Sequence, residues 1–207
     1  MRRVAESTIR RLSLYLSFLE QLDDGATKTV SSDELAKLGG TTSAQVRKDL
    51  SLFGSFGKRG LGYPVSELII RLRTILGLGR RWRVCIVGAG KIGAALAQYS
   101  GFPERGFDIV AVYDVDPRRI GQKWGDVTVR DMTNLEREAA SFECDIAVLA
   151  VPSPGAQRVA ERIVRSGITA ILNFVPVQLT VPASVAVRNV NMAMELEALS
   201  FALTNRT

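Results

Sequence analysis

The chain has 207 residues and a formal net charge of +6, and it contains two cysteines and no histidine. Without histidine the most common general acid–base and metal ligand is missing, so we expect a two-module protein with neither catalytic residues nor a metal site. Two cysteines build no disulfide framework and no apolar run reaches the roughly 20 residues that span a bilayer, so we expect a cytoplasmic protein with no membrane partner.

The positive charge is concentrated at the N-terminal end of the chain. Residues 1–83 hold 15 Lys and Arg against 8 Asp and Glu, whereas residues 84–207 hold 12 against 13. A basic module attached to a nearly neutral body favours a polyanionic partner for one end of the molecule only.

The basic module has the pattern of a helix-turn-helix. Apolar side chains at helical spacing predict a helix over residues 7–22, and a capped short helix opens at Ser31. A double glycine at residues 39–40 makes the turn to a third helix over residues 44–53. Since the third helix would enter the major groove of DNA, we expect its exposed polar side chains to contact bases and phosphates: Ser43, Gln45, Arg47 and Lys48.

A glycine-rich stretch after the third helix predicts a wing. Glycines at intervals over residues 54–62 suit a short hairpin, on which Lys58 and Arg59 would contact the DNA backbone. Residues 65–78 then predict one more helix. Any single one of these basic residues is as easily explained as a solvated surface charge.

From residue 83 the pattern changes to alternating strands and helices. β-Branched runs predict strands over residues 84–87, 108–113, 146–151 and 170–174, and helical patterns lie between several of them, notably over residues 92–99 and 156–166. The predicted fold class is therefore α/β, with an N-terminal winged helix-turn-helix domain and a Rossmann-type, doubly wound parallel sheet.

A GxGxxG motif follows the first of these strands and opens a helix, which is the context of a dinucleotide site. The motif consists of Gly88, Ala89, Gly90, Lys91, Ile92 and Gly93. Its glycines allow a sharp turn, the approach of a pyrophosphate and close helix–strand packing. Asp114 ends the second strand and would bind the ribose hydroxyls, which favours NAD(H) over NADP(H), although Arg118 and Arg119 lie nearby.

Segments after the later strands would line the nicotinamide end of this site. We expect Val151, Pro152, Asn173 and Phe174 to contact the cofactor there, because ligands of open parallel sheets bind beyond the carboxyl ends of the strands. Tyr99 is also expected to contact the cofactor. Prolines in these segments are explained equally well as closing strand-to-helix loops.

The last helix carries a stripe of apolar residues at 4-3-4 spacing: Met192, Leu196, Leu199 and Leu203.

Several of these strings together resemble the Rex redox-sensing transcriptional repressors of bacteria. The similarity covers residues 44–51, 53–54, 56–60, 87–90, 99, 101–102, 114–117, 172–174 and 188–190, in order along nearly the whole chain. It implies a winged-helix domain over residues 1–80, a Rossmann NAD(H)-binding domain over residues 81–190 and a C-terminal dimerisation helix, exchanged between subunits, over residues 191–207. It further implies a homodimer that binds a palindromic double-stranded operator at low NADH/NAD⁺ and is released by NADH.

One position departs from the pattern of this family. The family usually has Asp where this chain has Asn191, and that Asp is expected to pair with the tyrosine matched by Tyr99 in a ligand-dependent contact. Asn191 can hydrogen-bond Tyr99 but carries no charge.

Two other function classes stay open. An NAD-dependent oxidoreductase would need a proton donor, for which only Tyr99, Lys91 or a carboxylate is available. A nucleotide-binding module that contacts nucleic acid through charge alone would show no sequence discrimination.

Cys85 and Cys144 each lie in an apolar run and are interpreted as core thiols rather than a redox pair.

Overall fold

A computed structural model describes residues 4–22, 29–57 and 61–205 of the chain. The chain divides into two units, Met1–Arg80 and Arg81–Thr207. Lys58 and Arg59, which the sequence places on the wing, lie outside the described residues.

The first unit is a small helical domain with a two-stranded ribbon. Its elements in chain order are α1 (Glu6–Leu22), β1 (Thr29–Val30), α2 (Ser32–Leu38), α3 (Ser43–Ser51), β2 (Tyr63–Pro64) and α4 (Val65–Ile75). β1 and β2 pair in antiparallel register, with Val30 opposite Tyr63, so the segment before α2 is joined to the segment that follows the glycine-rich stretch.

Local capping explains where α2 and α3 begin. The Ser31 hydroxyl accepts a hydrogen bond from the Glu34 amide (3.1 Å) and the Glu34 carboxylate accepts one from the Ser31 amide (2.7 Å), which is a complete capping box. The Thr42 hydroxyl accepts from the Gln45 amide (3.1 Å). Behind these caps the four helices share one apolar core: Leu12, Leu16, Leu19, Leu35, Val46, Leu50, Leu68 and Leu72.

The second unit is a seven-stranded sheet with helices. Its elements are β3 (Trp82–Val87), α5 (Lys91–Ala97), α6 (Gly101–Glu104), β4 (Phe107–Asp114), β5 (Lys123–Trp124), β6 (Val127–Asp131), α7 (Leu135–Ser141), β7 (Ile146–Leu149), α8 (Ala156–Arg165), β8 (Ala170–Asn173), β9 (Ala186–Asn189) and α9 (Met192–Thr204). The strand order is β5-β6-β4-β3-β7-β8-β9, and only the short β5 runs antiparallel to its neighbour.

This order creates a topological switch point at β3. The chain builds outward through β4 to β6 and then returns to the other side of β3 with β7, so the loops after β3 and β7 diverge to opposite faces. A crevice opens where such loops separate, beyond the carboxyl ends of the strands. The central strand is buried on both faces, with Cys85 and Val87 toward one apolar cluster and Val84 and Ile86 toward the other.

The predicted doubly wound parallel sheet is confirmed, whereas several boundaries differ. The strand expected over residues 146–151 ends at Leu149, because the chain turns away from the sheet toward Pro152 and a short 3₁₀ turn. The strands β6 and β9 and the helix α7 had no clear periodic signal, since they have only four to seven residues each. Among the residues that the structure describes, no helix has the length and apolar character to cross a membrane.

The last helix, α9, stands apart from both clusters of the sheet. None of its residues is buried within the chain, and its large apolar side chains are exposed: Met192, Met194, Leu196, Leu199, Phe201 and Leu203. An apolar helix left open to water in one chain is costly, so this face is suited to burial against a partner.

Candidate functional site

The glycine loop lies at the carboxyl end of β3 with backbone geometry that excludes side chains. Gly88 has a φ of +109°, and a Cβ there would overlap the carbonyl oxygen of Ala150. A Cβ at Gly93 would overlap the carbonyl oxygen of Gly88, so helix and loop pack without a gap. Gly90, in contrast, faces open space. The loop is therefore closed on its inner side and accessible to a ligand at Gly90.

Asp114 links this loop to the end of β4 through hydrogen bonds of its side chain. One carboxylate oxygen accepts hydrogen bonds from the Ala89 amide (2.6 Å) and from Arg119 (3.1 Å), and the other accepts from the Asp116 amide (2.8 Å). Asp114 is only 7% exposed. A carboxylate has about four acceptor positions, so one remains for a ribose hydroxyl. Asp114 thus organises the site in addition to facing it.

A cavity of about 810 Å³ opens in front of the loop. Seven of the twelve residues that the sequence assigned to the cofactor line it: Gly88, Gly90, Lys91, Ile92, Asp114, Val151 and Pro152. Sequence reasoning missed further lining residues from β4 and from the helices and turns after β6 and β7: Tyr113, Met132, Gly155, Arg158, Val159 and Arg162. Their only sequence signal is their position at or beyond the carboxyl ends of parallel strands.

The cations of the cavity differ in how far they are neutralised. Arg162 donates two hydrogen bonds to Glu136 (2.7 and 2.6 Å), and these lower the pKa of that carboxyl to about 2. Arg119 pairs with Asp114 and Asp116. Lys91 and Arg158 make no ion pair with any described residue, so they leave positive charge available to an anionic ligand such as a diphosphate.

Asn173 lies at the end of β8 but does not line the cavity. Its side chain is buried, and its amide nitrogen donates to the carbonyl oxygens of Val175 and Val177 (both 3.0 Å) and to the Asn189 side chain (2.9 Å). Its side-chain oxygen accepts from the Val175 amide (2.9 Å). These bonds use the side chain to hold the turn that carries Phe174, which also lies outside the cavity lining.

Tyr99 is exposed beyond the end of α5, away from the cavity lining. Its ring packs against the Phe102 ring in an edge-to-face arrangement, with the ring centroids 5.0 Å apart. Asn191 is the N-cap of α9, where its side-chain oxygen accepts from the Ala193 amide (3.1 Å). No hydrogen bond joins Tyr99 to Asn191 within the described chain. Ala89 and Gly93 likewise shape the loop without lining the cavity.

The second candidate site is the exposed side of α3 in the first unit. Ser43 is half-buried at its first turn, whereas Arg47 and Lys48 are exposed. Two of the predicted contact residues already have partners. The side-chain amide of Gln45 donates to the Asp49 carboxylate (2.8 Å), and the Arg47 guanidinium donates to the Ser32 hydroxyl (2.9 Å). The Lys48 side chain has no hydrogen-bonding or ionic partner among the described residues, whereas its backbone carbonyl accepts from the Ser51 hydroxyl (2.8 Å). Gln45 keeps its second side-chain N–H and its side-chain oxygen for a base contact, and the bond to Asp49 limits the directions in which they can point.

Both units match known sequence families. The model "CoA binding domain" matches residues 80–177, and the model "Putative DNA-binding protein N-terminus" matches residues 3–51. Relatives named redox-sensing transcriptional repressor Rex include one from Syntrophomonas wolfei, 48% identical over 206 residues, which are 99% of this chain and 98% of the relative. Another, from Streptomyces avermitilis, is 44% identical over 97% of this chain and 79% of its own length.

Solved structures agree with the sequence relatives. The crystal structure of RSP with β-NAD⁺ and operator DNA is similar with a TM-score of 0.92 and 41% identity, covering 98% of this chain and 94% of that chain. The structure of RSP with β-NADH has a TM-score of 0.89 and 39% identity, covering 98% and 95%.

Proposed function

Because the chain belongs to the Rex family of redox-sensing transcriptional repressors, we propose that it binds operator DNA at a low NADH/NAD⁺ ratio and is released when NADH binds. The observation that carries this proposal is the cavity at the switch point of the sheet, with an accessible glycine loop and Asp114 at its edge. Its relatives are named as repressors and not as enzymes, and we place it in the cytoplasm.

The residues present fit a dinucleotide. Open space at Gly90 allows a pyrophosphate to approach the loop, and the uncompensated charge of Lys91 lies beside it. The remaining acceptor position of Asp114 suits a ribose hydroxyl. The carboxylate would repel a 2′-phosphate, while the ion pair with Arg119 reduces that repulsion. We therefore expect a preference for NAD(H) over NADP(H).

Discrimination between the two redox forms would arise at the nicotinamide end. NAD⁺ carries one positive charge there that NADH lacks, and burying an unpaired charge among apolar groups is costly. Phe174 and the buried Val175 follow β8, and the Asn173 hydrogen bonds fix their backbone. With Val151, Pro152, Pro176 and Met192 of a partner subunit, these residues would form an apolar pocket that favours the neutral ring.

The DNA contacts would come from α3 and the wing. Ser43, Gln45, Arg47 and Lys48 are the proposed contacts on α3, and Lys58 and Arg59 those on the wing. In a homodimer the two copies of α3 would reach half-sites about 34–36 Å apart, or multiples of this distance, on a palindromic operator. NADH would hold the dimer in an arrangement where the two helices no longer match successive major grooves.

The exposed helix α9 is the proposed dimerisation element. All of its large apolar side chains are exposed in one chain, and exchange of residues 191–207 with a partner subunit would bury them. The three proposed domains are accordingly residues 1–80, 81–190 and 191–207. Asn191 would then lie near the Tyr99 side chain of the partner copy, although its own hydrogen bond to Ala193 competes for that contact.

The test is a titration of a fluorescent operator duplex with the protein, repeated at increasing NADH and NAD⁺. NADH should release the duplex at concentrations where NAD⁺ does not, and moving nearly all the protein between states requires about 5.5 kcal/mol of differential binding. Equal effects of the two cofactors would contradict the proposal. Repeating the titration with Asn191→Asp measures the contribution of that position.

Two further measurements separate the rival functions: binding of random duplex at several salt concentrations, and consumption of NADH. Binding that depends on salt alone, without preference for the operator over random duplex, would favour a nonspecific nucleic-acid module. Consumption of NADH with a small carbonyl substrate would favour an oxidoreductase.

A further inference from the structure

A buried carboxylate in the first unit is hydrogen-bonded to one of the proposed DNA contacts. Asp49 of α3 is 1% exposed, and its Oδ1 accepts from the side-chain nitrogen of Gln45 (2.8 Å), from Arg11 (2.7 Å) and, at 3.5 Å, from the Thr8 hydroxyl. Its Oδ2 accepts from Arg11 (2.6 Å) and from the Tyr15 hydroxyl (3.2 Å). A carboxylate has about four acceptor positions, so these bonds occupy them and constrain the side chains that donate.

The Asp49 carboxylate determines which end of the Gln45 amide faces it. Burial raises the pKa of Asp49, but the hydrogen bonds from Arg11 and Gln45 outweigh it and leave that pKa below its ordinary value, so the group is ionised at neutral pH. An ionised carboxylate accepts hydrogen bonds and donates none, so the Gln45 atom that faces it must be the nitrogen. The oxygen and the second N–H of this amide have no partner among the described residues, and they keep one acceptor and one donor available.

Gln45 lies where a recognition helix contacts bases. It is the third residue of α3, directly after the Thr42 cap, and its side chain is half-buried. The N-terminal residues of a recognition helix contact base edges in the major groove. An amide that offers one oxygen and one N–H matches adenine, which presents its N6 amino group as a donor and N7 as an acceptor. Guanine presents two acceptors, O6 and N7, so the amide oxygen would face O6 with no proton between them.

We propose that Gln45 recognises adenine at one base pair of each operator half-site and that Asp49 is its positioning residue. The inference rests on the proposed operator binding through α3, to which it adds the base and the residue that orients the side chain. Arg11 donates twice to Asp49 and so holds the carboxylate in place. Because the Gln45 amide is held before DNA binds, less side-chain entropy is lost on binding. A plain i,i+4 pair between Gln45 and Asp49 would contribute to helix stability alone.

The experiment begins with selection of binding sites from a pool of random-sequence duplexes by the full-length protein without NADH. The enriched half-site should contain one adenine whose preference disappears when the selection is repeated with Gln45→Leu, a variant of similar size with an apolar side chain. In the selected duplex, replacing that adenine by guanine should weaken binding about tenfold or more. Replacing it by 7-deazaadenine, which has C–H in place of N7, should weaken binding of the unchanged protein and leave binding by Gln45→Leu the same.

The role of Asp49 is tested by the double variant Arg11→Met/Asp49→Leu. Replacing both members of a buried ion pair by apolar groups often leaves stability unchanged, whereas removing one member does not. The double variant should therefore fold, as thermal unfolding will check, and should lose adenine preference at that base pair while keeping the preferences at the others. Asp49→Asn, which offers one acceptor oxygen instead of two, should lower the adenine preference as well. Arg10→Met, exposed on α1, is the matched control and should keep every preference.

Three results would overturn the inference: no base pair whose preference depends on Gln45, equal affinity of the unchanged protein for adenine and 7-deazaadenine duplexes, or a uniform loss of affinity for every duplex in the Asp49 variants. The last is what a merely structural role predicts. Enrichment of no sequence by the unchanged protein would overturn operator binding together with this inference. A half-site that is enriched but not released by NADH would contradict the proposed function and leave the adenine assignment standing.

Discussion

The carboxylate of Asp49, on helix α3, is held by Arg11 of α1 through two hydrogen bonds of 2.6 and 2.7 Å. Asp49 is only 1% exposed and also accepts hydrogen bonds from Gln45 (2.8 Å) and the Tyr15 hydroxyl (3.2 Å). Burial raises the pKa of Asp49, but the hydrogen bonds from Arg11, Gln45 and Tyr15 outweigh it and leave that pKa below its ordinary value. This network fixes the position of α3 against α1, the helix that carries Arg11 and Tyr15.

Replacing Arg11 by Met should destabilise the first unit by about 3 kcal/mol, because it leaves a buried carboxylate without its partner. The measurement is urea unfolding at pH 7. The matched control is Arg10→Met on the same helix, since Arg10 is exposed and has only a 3.7 Å ion pair with Glu6. Equal destabilisation by both substitutions would contradict a structural role for the Arg11–Asp49 pair.

The glycine loop should respond differently at its open and closed positions. Gly90→Ala points a methyl group into the space proposed for the pyrophosphate, so we expect normal folding and a loss of NADH affinity of about tenfold or more. Gly93→Ala should lower the melting temperature as well, because its Cβ overlaps the Gly88 carbonyl. Calorimetric NADH titration and thermal unfolding distinguish the two, with Gly79→Ala as the control, since a Cβ there meets no neighbour.

The Glu136–Arg162 pair predicts an acid-dependent stability. Hydrogen bonds from Arg162 lower the pKa of Glu136 from 4.5 to about 2. Because the folded-state pKa is depressed, the pair stabilises the protein fully above pH 4.5, and this contribution is lost as the pH falls toward 2. Glu136→Gln should therefore lower the melting temperature at pH 7 and have little effect near pH 2.

The control for that experiment is Glu104→Gln, because Glu104 is an exposed glutamate in the same unit. Its melting temperature should follow that of the unchanged protein at each pH. A difference between wild type and Glu136→Gln that stays constant down to pH 2 would show that the ion pair does not cause the effect.

Helix α9 should control assembly. Leu199→Asp places a charge in the exposed apolar stripe, so we expect it to shift the protein from dimer to monomer in sedimentation experiments and to weaken operator binding. Glu197→Gln on the same helix introduces no charge and should sediment like the unchanged protein. Retention of the dimer by Leu199→Asp would place the interface elsewhere.

Local patterns in the sequence determined most of the architecture. Capping residues and i,i+3/i+4 apolar spacing predicted α2, α3 and the stripe of α9, and β-branched runs predicted the central strands. The glycine spacing with Asp114 predicted the loop that borders the cavity. These features depend on neighbours along the chain, so they are readable without the fold.

Only the tertiary structure decided which distant groups meet. Gln45 donates its amide to a carboxylate that is also held by Arg11, Asn173 uses its side chain to hold a turn, and Arg158 lines the cavity from a helix that carries no motif. Such contacts depend on packing and on strand order. The distance between two residues along the chain does not predict them, because the sheet places β7 beside β3 although β4 and β6 lie between the two strands in the sequence.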